Sequence, residues 1–175
     1  QSGTIKILKN IINRCKAPIL LSRFANDLLP HNNKYVMGQA GVKGSRYCKN
    51  IMQNADLVIS LGCRFAPQFV GHDFSAFKNA KIVSIDVEKD ELNKKGIKIN
   101  YPFNYNLNSF LPSFDKMIKK IKLPNYINWM SYCSNNKKNK PIIPKKIKQK
   151  NPIDLYFFME KLGKIAKKND ILVTD

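Results

Sequence analysis

Apolar positions recur at helical spacing at the start of the chain. Ile5, Leu8, Ile12 and Cys15 fall on one side of a predicted helix over 4–16, with Thr4 where an N-cap belongs. Pro18-Ile19-Leu20-Leu21 is instead a short continuous apolar run, the pattern of a strand. A polar loop through His31-Asn32-Asn33 leads to the glycine-spaced stretch Gly38–Gly44, after which Ser45 can cap a helix over 46–54. Two cleaner strands come next: Leu57-Val58-Ile59-Ser60-Leu61, bounded by Asp56 and Gly62, and Ile82-Val83-Ser84-Ile85, bounded by Lys81 and Asp86. Neither alternates strictly between apolar and polar, which predicts strands covered on both faces of a parallel sheet. A short helix at 88–95 and an extended piece at 97–103 continue the alternation. Phe110, Leu111, Phe114, Met117, Ile118 and Ile121 then outline an amphipathic helix. Beyond Pro152, Leu155, Phe158, Met159, Leu162 and Ile165 give another helix, leading into a final strand at Ile171-Leu172-Val173.

Strands alternating with helices predict an α/β fold with a doubly wound, mostly parallel sheet. Between the last two helices the chain changes character: no acidic residue occurs from Lys116 to Ile153, and 137–150 holds seven lysines with Pro141 and Pro144. That segment reads as an exposed linker, interrupted by an amphipathic turn at Tyr126-Ile127 and Trp129-Met130. The predicted organisation is a main domain over 1–122, a basic linker over 123–150 and a short unit over 151–175. At 175 residues, 43% hydrophobic and 25% charged, the chain can bury a core without a disulfide or metal staple. No apolar run reaches the roughly 18 residues of a membrane span and no secretory signal is visible, so a cytoplasmic protein is expected. The start at Gln1 and the stop at Asp175, directly after an apolar run, suggest a piece of a larger protein.

A net charge of +19 points first to a nucleic-acid partner. The basic residues, however, are 27 Lys and only 4 Arg, beside 20 Asn and 20 Ile. Base readers favour the bidentate fork of Arg, so the excess fits a codon habit better than a binding surface. The four cysteines (Cys15, Cys48, Cys63, Cys133) form no C-x-x-C pair and the histidines are only His31 and His72, which predicts reduced thiols and no zinc site.

Ligands of doubly wound sheets bind beyond the carboxyl ends of the strands, and three features fall there. Gly62-Cys63-Arg64-Phe65 comes directly after a buried strand, where the glycine permits a tight exit and Arg64 can meet a phosphate; the alternative is a turn glycine with a surface arginine. Asp86 ends the next strand, 24 residues after Gly62, and suits either a ribose or the capping of the helix beyond it. Gly38-x-x-Gly41-x-x-Gly44-Ser45-Arg46 opens a helix and offers either anion-binding amides or a structural turn. No activated nucleophile and no carboxylate cluster for Mg²⁺ is apparent, so no catalytic or metal-ligating residue is assigned.

The stretch from Gly38 to Leu111 resembles the central domain of thiamine-diphosphate-dependent enzymes of the acetolactate synthase type. The resemblance is carried by Gly38–Arg46, by Asn54-Ala55-Asp56-Leu57-Val58-Ile59-Ser60-Leu61-Gly62-Cys63-Arg64-Phe65, and by Phe77-Lys78-Asn79-Ala80-Lys81-Ile82-Val83-Ser84-Ile85-Asp86-Val87 with Glu91-Leu92-Asn93-Lys94. It implies a Rossmann-like sheet incomplete at its N-terminal edge, with the helix at 4–16 placed after the domain's first strand and 151–175 opening a C-terminal diphosphate-binding domain. It further implies a parent transferase that decarboxylates a 2-keto acid and joins the product to a second carbonyl, as a dimer or tetramer. Thiamine diphosphate and Mg²⁺ would bind outside this chain, which alone would be inactive. In such synthases the central domain also holds FAD, which makes Gly62, Arg64 and Asp86, with their motif neighbours Phe65, Val87 and Gly41, the candidate cofactor-binding residues. Two departures bear on this. The family's acidic pair after "R-F" is Ala66-Pro67 here, and its "G-D" before the last helix is Tyr105-Asn106. The expectation is therefore a mainly structural domain with vestigial or altered nucleotide binding. A free-standing module for FAD, ADP or NAD and a basic nucleic-acid-binding protein using Lys137–Lys150 are the alternatives.

Overall fold

A computed structural model describes residues 3–71, 75–141, 153–167 and 169–173. His72, most of the lysine-rich stretch (142–150) and the last two residues lie outside the described residues. Residues 1–139 form one compact unit and 140–175 a second.

In the first unit, α1 (Ile5–Cys15) leads into β1 (Ile19–Leu21), which pairs in parallel with β2 (Val36–Gln39). The helix stops where Lys16 turns left-handed (φ 52°) and its N–H donates to Ile12 O. Next come α2 (Arg46–Gln53), β3 (Leu57–Leu61), the one-turn α3 (Pro67–Val70) and β4 (Lys81–Asp86). The one-turn α4 (Lys89–Leu92), β5 (Tyr101–Asn104) and α5 (Leu107–Ile118) complete the alternation, and α6 (Ile127–Asn139) closes the unit. β3, β4 and β5 form a second parallel sheet in that order, with Ile59 opposite Val83 and Val83 opposite Tyr101. Parallel strands with helical crossovers make this the predicted α/β architecture.

The apolar runs of β3 and β4 do become strands, but they are not equally covered. Ile82 and Ile85 are buried, each contributing roughly 1.5–3 kcal/mol of apolar burial. Leu57 and Ile59 on β3 are each 49% exposed, because among the described residues β3 has a strand on one side only. Behind the sheets, α2 and α6 pack with Tyr47, Cys48, Ile51, Ile82 and Cys133 into one core, and α1 packs on α5 around Ile11, Leu111 and Ile118.

Three segments differ from the sequence reading. Val36–Gln39, expected in a loop, is strand β2, and Val36 is fully buried. Within the stretch expected as a linker, α6 is a helix whose Cys133, Trp129 and Met130 join the core, and Lys137 Nζ donates to Val36 O at 2.9 Å. In the second unit, α7 (Leu155–Ile165) forms with Asp154 Oδ1 accepting the Phe157 N–H at 3.0 Å, a regular N-cap. Residues 171–173 are not a strand: among the described residues no strand pairs with this three-residue apolar run, and Ile171 and Val173 stay exposed. All four cysteines are unbridged. Among the described residues, no helix is long and apolar enough to cross a membrane.

Candidate functional site at the carboxyl edge of the sheet

The carboxyl ends of β3, β4 and β5 bring together Gly62, Cys63, Arg64, Asp86, Val87 and Asn104. Gly62 leaves β3 with a left-handed φ of 57°, and its N–H donates to Ile85 O at 2.8 Å. A Cβ there would stand 3.1 Å from the Leu107 side chain at the start of α5, so the glycine serves a tight exit beneath that helix. Arg64 Nε donates to Glu91 Oε1 at 2.8 Å, and the other carboxylate oxygen of Glu91 holds Lys94. The Lys94 hydrogen bond is the chief cause that holds the Glu91 carboxyl below its usual range, opposed by partial burial and aided by the charges of Lys94 and Arg64. Beside them, burial pushes the Cys63 thiol up to about 11, and the Asp86 and Glu91 carboxylates add to the rise.

Asp86 is turned inward. It is 7% exposed, its Oδ1 accepts the Glu88 N–H at 3.0 Å, and its carbonyl accepts from Tyr105 N–H and Asn104 Nδ2. Asn104 Nδ2 also donates to Val87 O at 2.8 Å, tying β5 to the β4 exit, while the Val87 side chain is exposed. Phe65 is elsewhere: at 2% exposure it stands edge-on to Phe77 at 5.6 Å between ring centres, inside the core. Gly41 is also apart, packed on α3. Its φ is 114°, and a Cβ would meet Gln68 O at 2.8 Å, while the neighbouring Val42 N–H donates to that same oxygen. Loop packing accounts for that glycine.

The two departures from the family pattern have local explanations. Ala66 precedes α3, with Pro67 at its first position, where a missing N–H costs nothing. Asn106 caps α5, its Oδ1 accepting the Asn108 N–H at 2.9 Å, so the carboxylate is gone but the cap remains. Glu91 and Asn104 belong to this edge although the sequence does not mark them as site residues. The signals for Glu91 are its place in the Glu91-Leu92-Asn93-Lys94 stretch that carries the resemblance and its i,i+3 spacing to Lys94.

The residues that could greet a nucleotide are thus largely paired with one another: Arg64 with Glu91, Asp86 with the Glu88 amide, Asn104 with two carbonyls. As arranged, this donor set does not fit FAD. Nor do the described residues include a group of three His, Cys, Asp or Glu able to hold a metal ion, so they do not fit the metal–diphosphate end of thiamine diphosphate either.

The family described as "Thiamine pyrophosphate enzyme, central domain" matches residues 1–113. The chain belongs to that family. Its relatives bear out the same reading. Over 174 residues, this thiamine pyrophosphate enzyme central domain and its C-terminal extension are 25% identical to the acetolactate synthase large subunit of Lactococcus lactis subsp. lactis (strain IL1403), covering 99% of this chain and 29% of that protein. The probable acetolactate synthase large subunit of Methanococcus aeolicus is 25% identical over 138 residues, 79% of this chain and 22% of the relative. The acetolactate synthase isozyme 1 large subunit of Escherichia coli (strain K12) is 31% identical over 87 residues, 50% of this chain and 16% of the relative. The chain therefore spans under a third of the length of these relatives.

Proposed function

We propose that this chain is the central, noncatalytic part of an acetolactate-synthase-like carboligase. The single observation that carries the reading is the family match over residues 1–113, supported by the likeness to an acetolactate synthase large subunit over 174 residues. The whole enzyme decarboxylates a 2-keto acid such as pyruvate and transfers the resulting acyl carbanion equivalent to a second carbonyl. Thiamine diphosphate, held with Mg²⁺ by polypeptide outside these residues, supplies the electron sink for that chemistry. The enzyme works in the cytoplasm as a homodimer or homotetramer.

Within it, residues 1–139 act as a scaffold between catalytic neighbours, and 140–175 lead toward the diphosphate-binding domain. The ion pair at Arg64 and the inward turn of Asp86 support a nucleotide site that is vestigial or altered, with contacts drawn from Gly62, Arg64, Asp86 and Val87. Phe65 supports it from the core and Gly41 from the α3 side.

The test is direct. The purified chain, mixed with pyruvate, thiamine diphosphate and Mg²⁺, forms no acetolactate, whereas the same segment within the full-length protein does. Turnover by the isolated chain overturns the noncatalytic assignment, and a full-length protein without carboligase activity overturns the reaction class.

A further inference from the structure

The amino end of β4 opens into a cavity of about 320 Å³. Two stretches wall it: Phe77–Ile82, which leads into β4, and Gly96–Lys98 with Asn100, just ahead of β5. Asp86 stands at the other end of β4, roughly 16 Å from Lys81 at 3.3 Å per residue. The cavity is therefore separate from the carboxyl edge described above.

Hydrogen bonds pin both walls. Asn79 Nδ2 donates to Gln53 O at 3.1 Å at the end of α2, and the Ala80 N–H donates to Phe77 O at 3.1 Å. The Lys81 N–H donates to Asp56 O at 2.8 Å. Asn100 N–H donates to Ile82 O, and Ile82 N–H donates back to Asn100 Oδ1, each at 2.9 Å. The concavity is thus held in shape by the chain itself, which lowers the cost of ordering it around a ligand.

The groups facing it are one-sided. Lys78, Lys81 and Lys98 all line the cavity and are exposed, and no carboxylate lines it. Among the described residues, none of the three ammonium groups is in an ion pair or hydrogen bond. Asn100 uses its oxygen on Ile82, so its Nδ2 is left as a further donor. Ammonium and amide N–H groups donate only, and a set of three cations suits an anion of more than one charge. Phe77 and Ile82 are buried and give the cavity an apolar floor. Its volume lies at the small end of ligand sites, which suits a compact molecule and leaves no room for a dinucleotide.

We propose that this cavity binds a small phosphate-bearing anion, held by Lys78, Lys81 and Lys98 together with Asn100 Nδ2. The inference rests on the cavity alone and stands whether or not the reaction proposed above is the right one.

Calorimetry on the whole chain tests it, with EDTA present, ionic strength fixed, and inorganic pyrophosphate and ribose 5-phosphate as probes. Saturable binding is expected for at least one probe. Changing Lys78→Gln, Lys81→Gln and Lys98→Gln together weakens it at least about tenfold, the loss of one charged hydrogen bond or more. Arginine at the same three positions retains it. Changing Lys9→Gln, Lys116→Gln and Lys120→Gln together removes three charges from exposed helix positions outside the cavity and leaves affinity as in the parent. Either order of affinity supports the site: ribose 5-phosphate first points to an ester, pyrophosphate first to the free ion. Silence with both probes overturns the proposal. So does equal weakening by the two glutamine triples, which assigns the attraction to overall charge. A single-stranded oligonucleotide that binds through the same lysines and is not displaced by pyrophosphate also overturns it, giving the face to nucleic acid.

Discussion

The guanidinium of Arg64 and the carboxylate of Glu91 meet at 2.8 Å across 27 residues of sequence, linking the exit of β3 to the single turn of α4. Arg64 is the one basic side chain at this edge that the motif offers to a phosphate, and its Nε is already engaged. Because its side chain is 78% exposed while that of Glu91 is 12% exposed, the carboxylate is the anchored partner and the arginine the movable one.

That pairing makes stability depend on pH. Glu91 has a lowered pKa in the folded state, chiefly through the Lys94 hydrogen bond. Its contribution to stability is complete above the unfolded carboxyl value of about 4.3. It is lost as pH falls through the lower folded value. The melting temperature of the parent chain should therefore exceed that of Glu91→Gln near neutral pH, and the gap should close toward pH 3. Solvent around Arg64 keeps the difference within about 1 kcal/mol. Thermal melts of both proteins across pH 3–7 check this, and a gap that widens in acid would contradict it.

Asp86 combines a local turn with a candidate ligand contact, and two substitutions separate them. Asp86→Asn keeps an oxygen for the Glu88 N–H, so it should fold with a melting temperature close to the parent. Asp86→Ala removes the acceptor and should cost about 1 kcal/mol, as a lost cap does. Calorimetry with FAD, ADP and NAD then probes nucleotide binding directly. Saturable binding by the parent that is lost in Asp86→Ala supports it, and silence with all three ligands removes it.

Much of this edge is legible in the sequence. Leu57–Leu61 and Lys81–Asp86 are apolar runs bounded by Asp56, Gly62 and Asp86, and a run with clear punctuation predicts a strand whatever its surroundings. The carboxyl-end positions of Gly62, Arg64 and Asp86 follow from those two strands. Three things are not legible, because tertiary contacts decide them. Val36–Gln39 contains a glycine and reads as loop, but parallel pairing with β1 makes it a strand. α6 ends in Ser-Asn-Asn-Lys-Lys-Asn, with no apolar stripe to announce it; its helicity is held by Cys133 in the core and by Lys137 on the Val36 carbonyl. The partner of Arg64 lies 27 residues away, and spacing alone does not choose it among the carboxylates.

Gly41 offers a sharper test of the loop that resembles an anion site. Its φ of 114° and the 2.8 Å approach of Gln68 O leave no room for a side chain. Gly41→Ala should lower stability by roughly 1–3 kcal/mol, the range for a residue forced into a rare backbone region. Denaturant unfolding of the two proteins measures it. If the glycine instead exists to admit a ligand's phosphate, the substitution would leave the free protein's midpoint unchanged and weaken only binding.

The thiols give the last prediction, since burial sets their reactivity. Burial pushes both Cys48 and Cys133 up to about 12, and both are fully buried where α2 meets α6. Almost none of either thiol is ionised at pH 8, and the thiolate is the reactive species. Labelling of the native chain with a disulfide reagent at that pH should therefore leave Cys48 and Cys133 unmodified until the α2–α6 core opens. Denaturant should expose both in one transition, coincident with loss of far-ultraviolet circular dichroism. If α6 were instead a tether detached from the domain, Cys133 would label in native buffer within the mixing time, well before Cys48. Mass spectrometry of the labelled peptides distinguishes the two outcomes, and simultaneous protection ties a helix whose sequence reads as a linker to the sheet it covers.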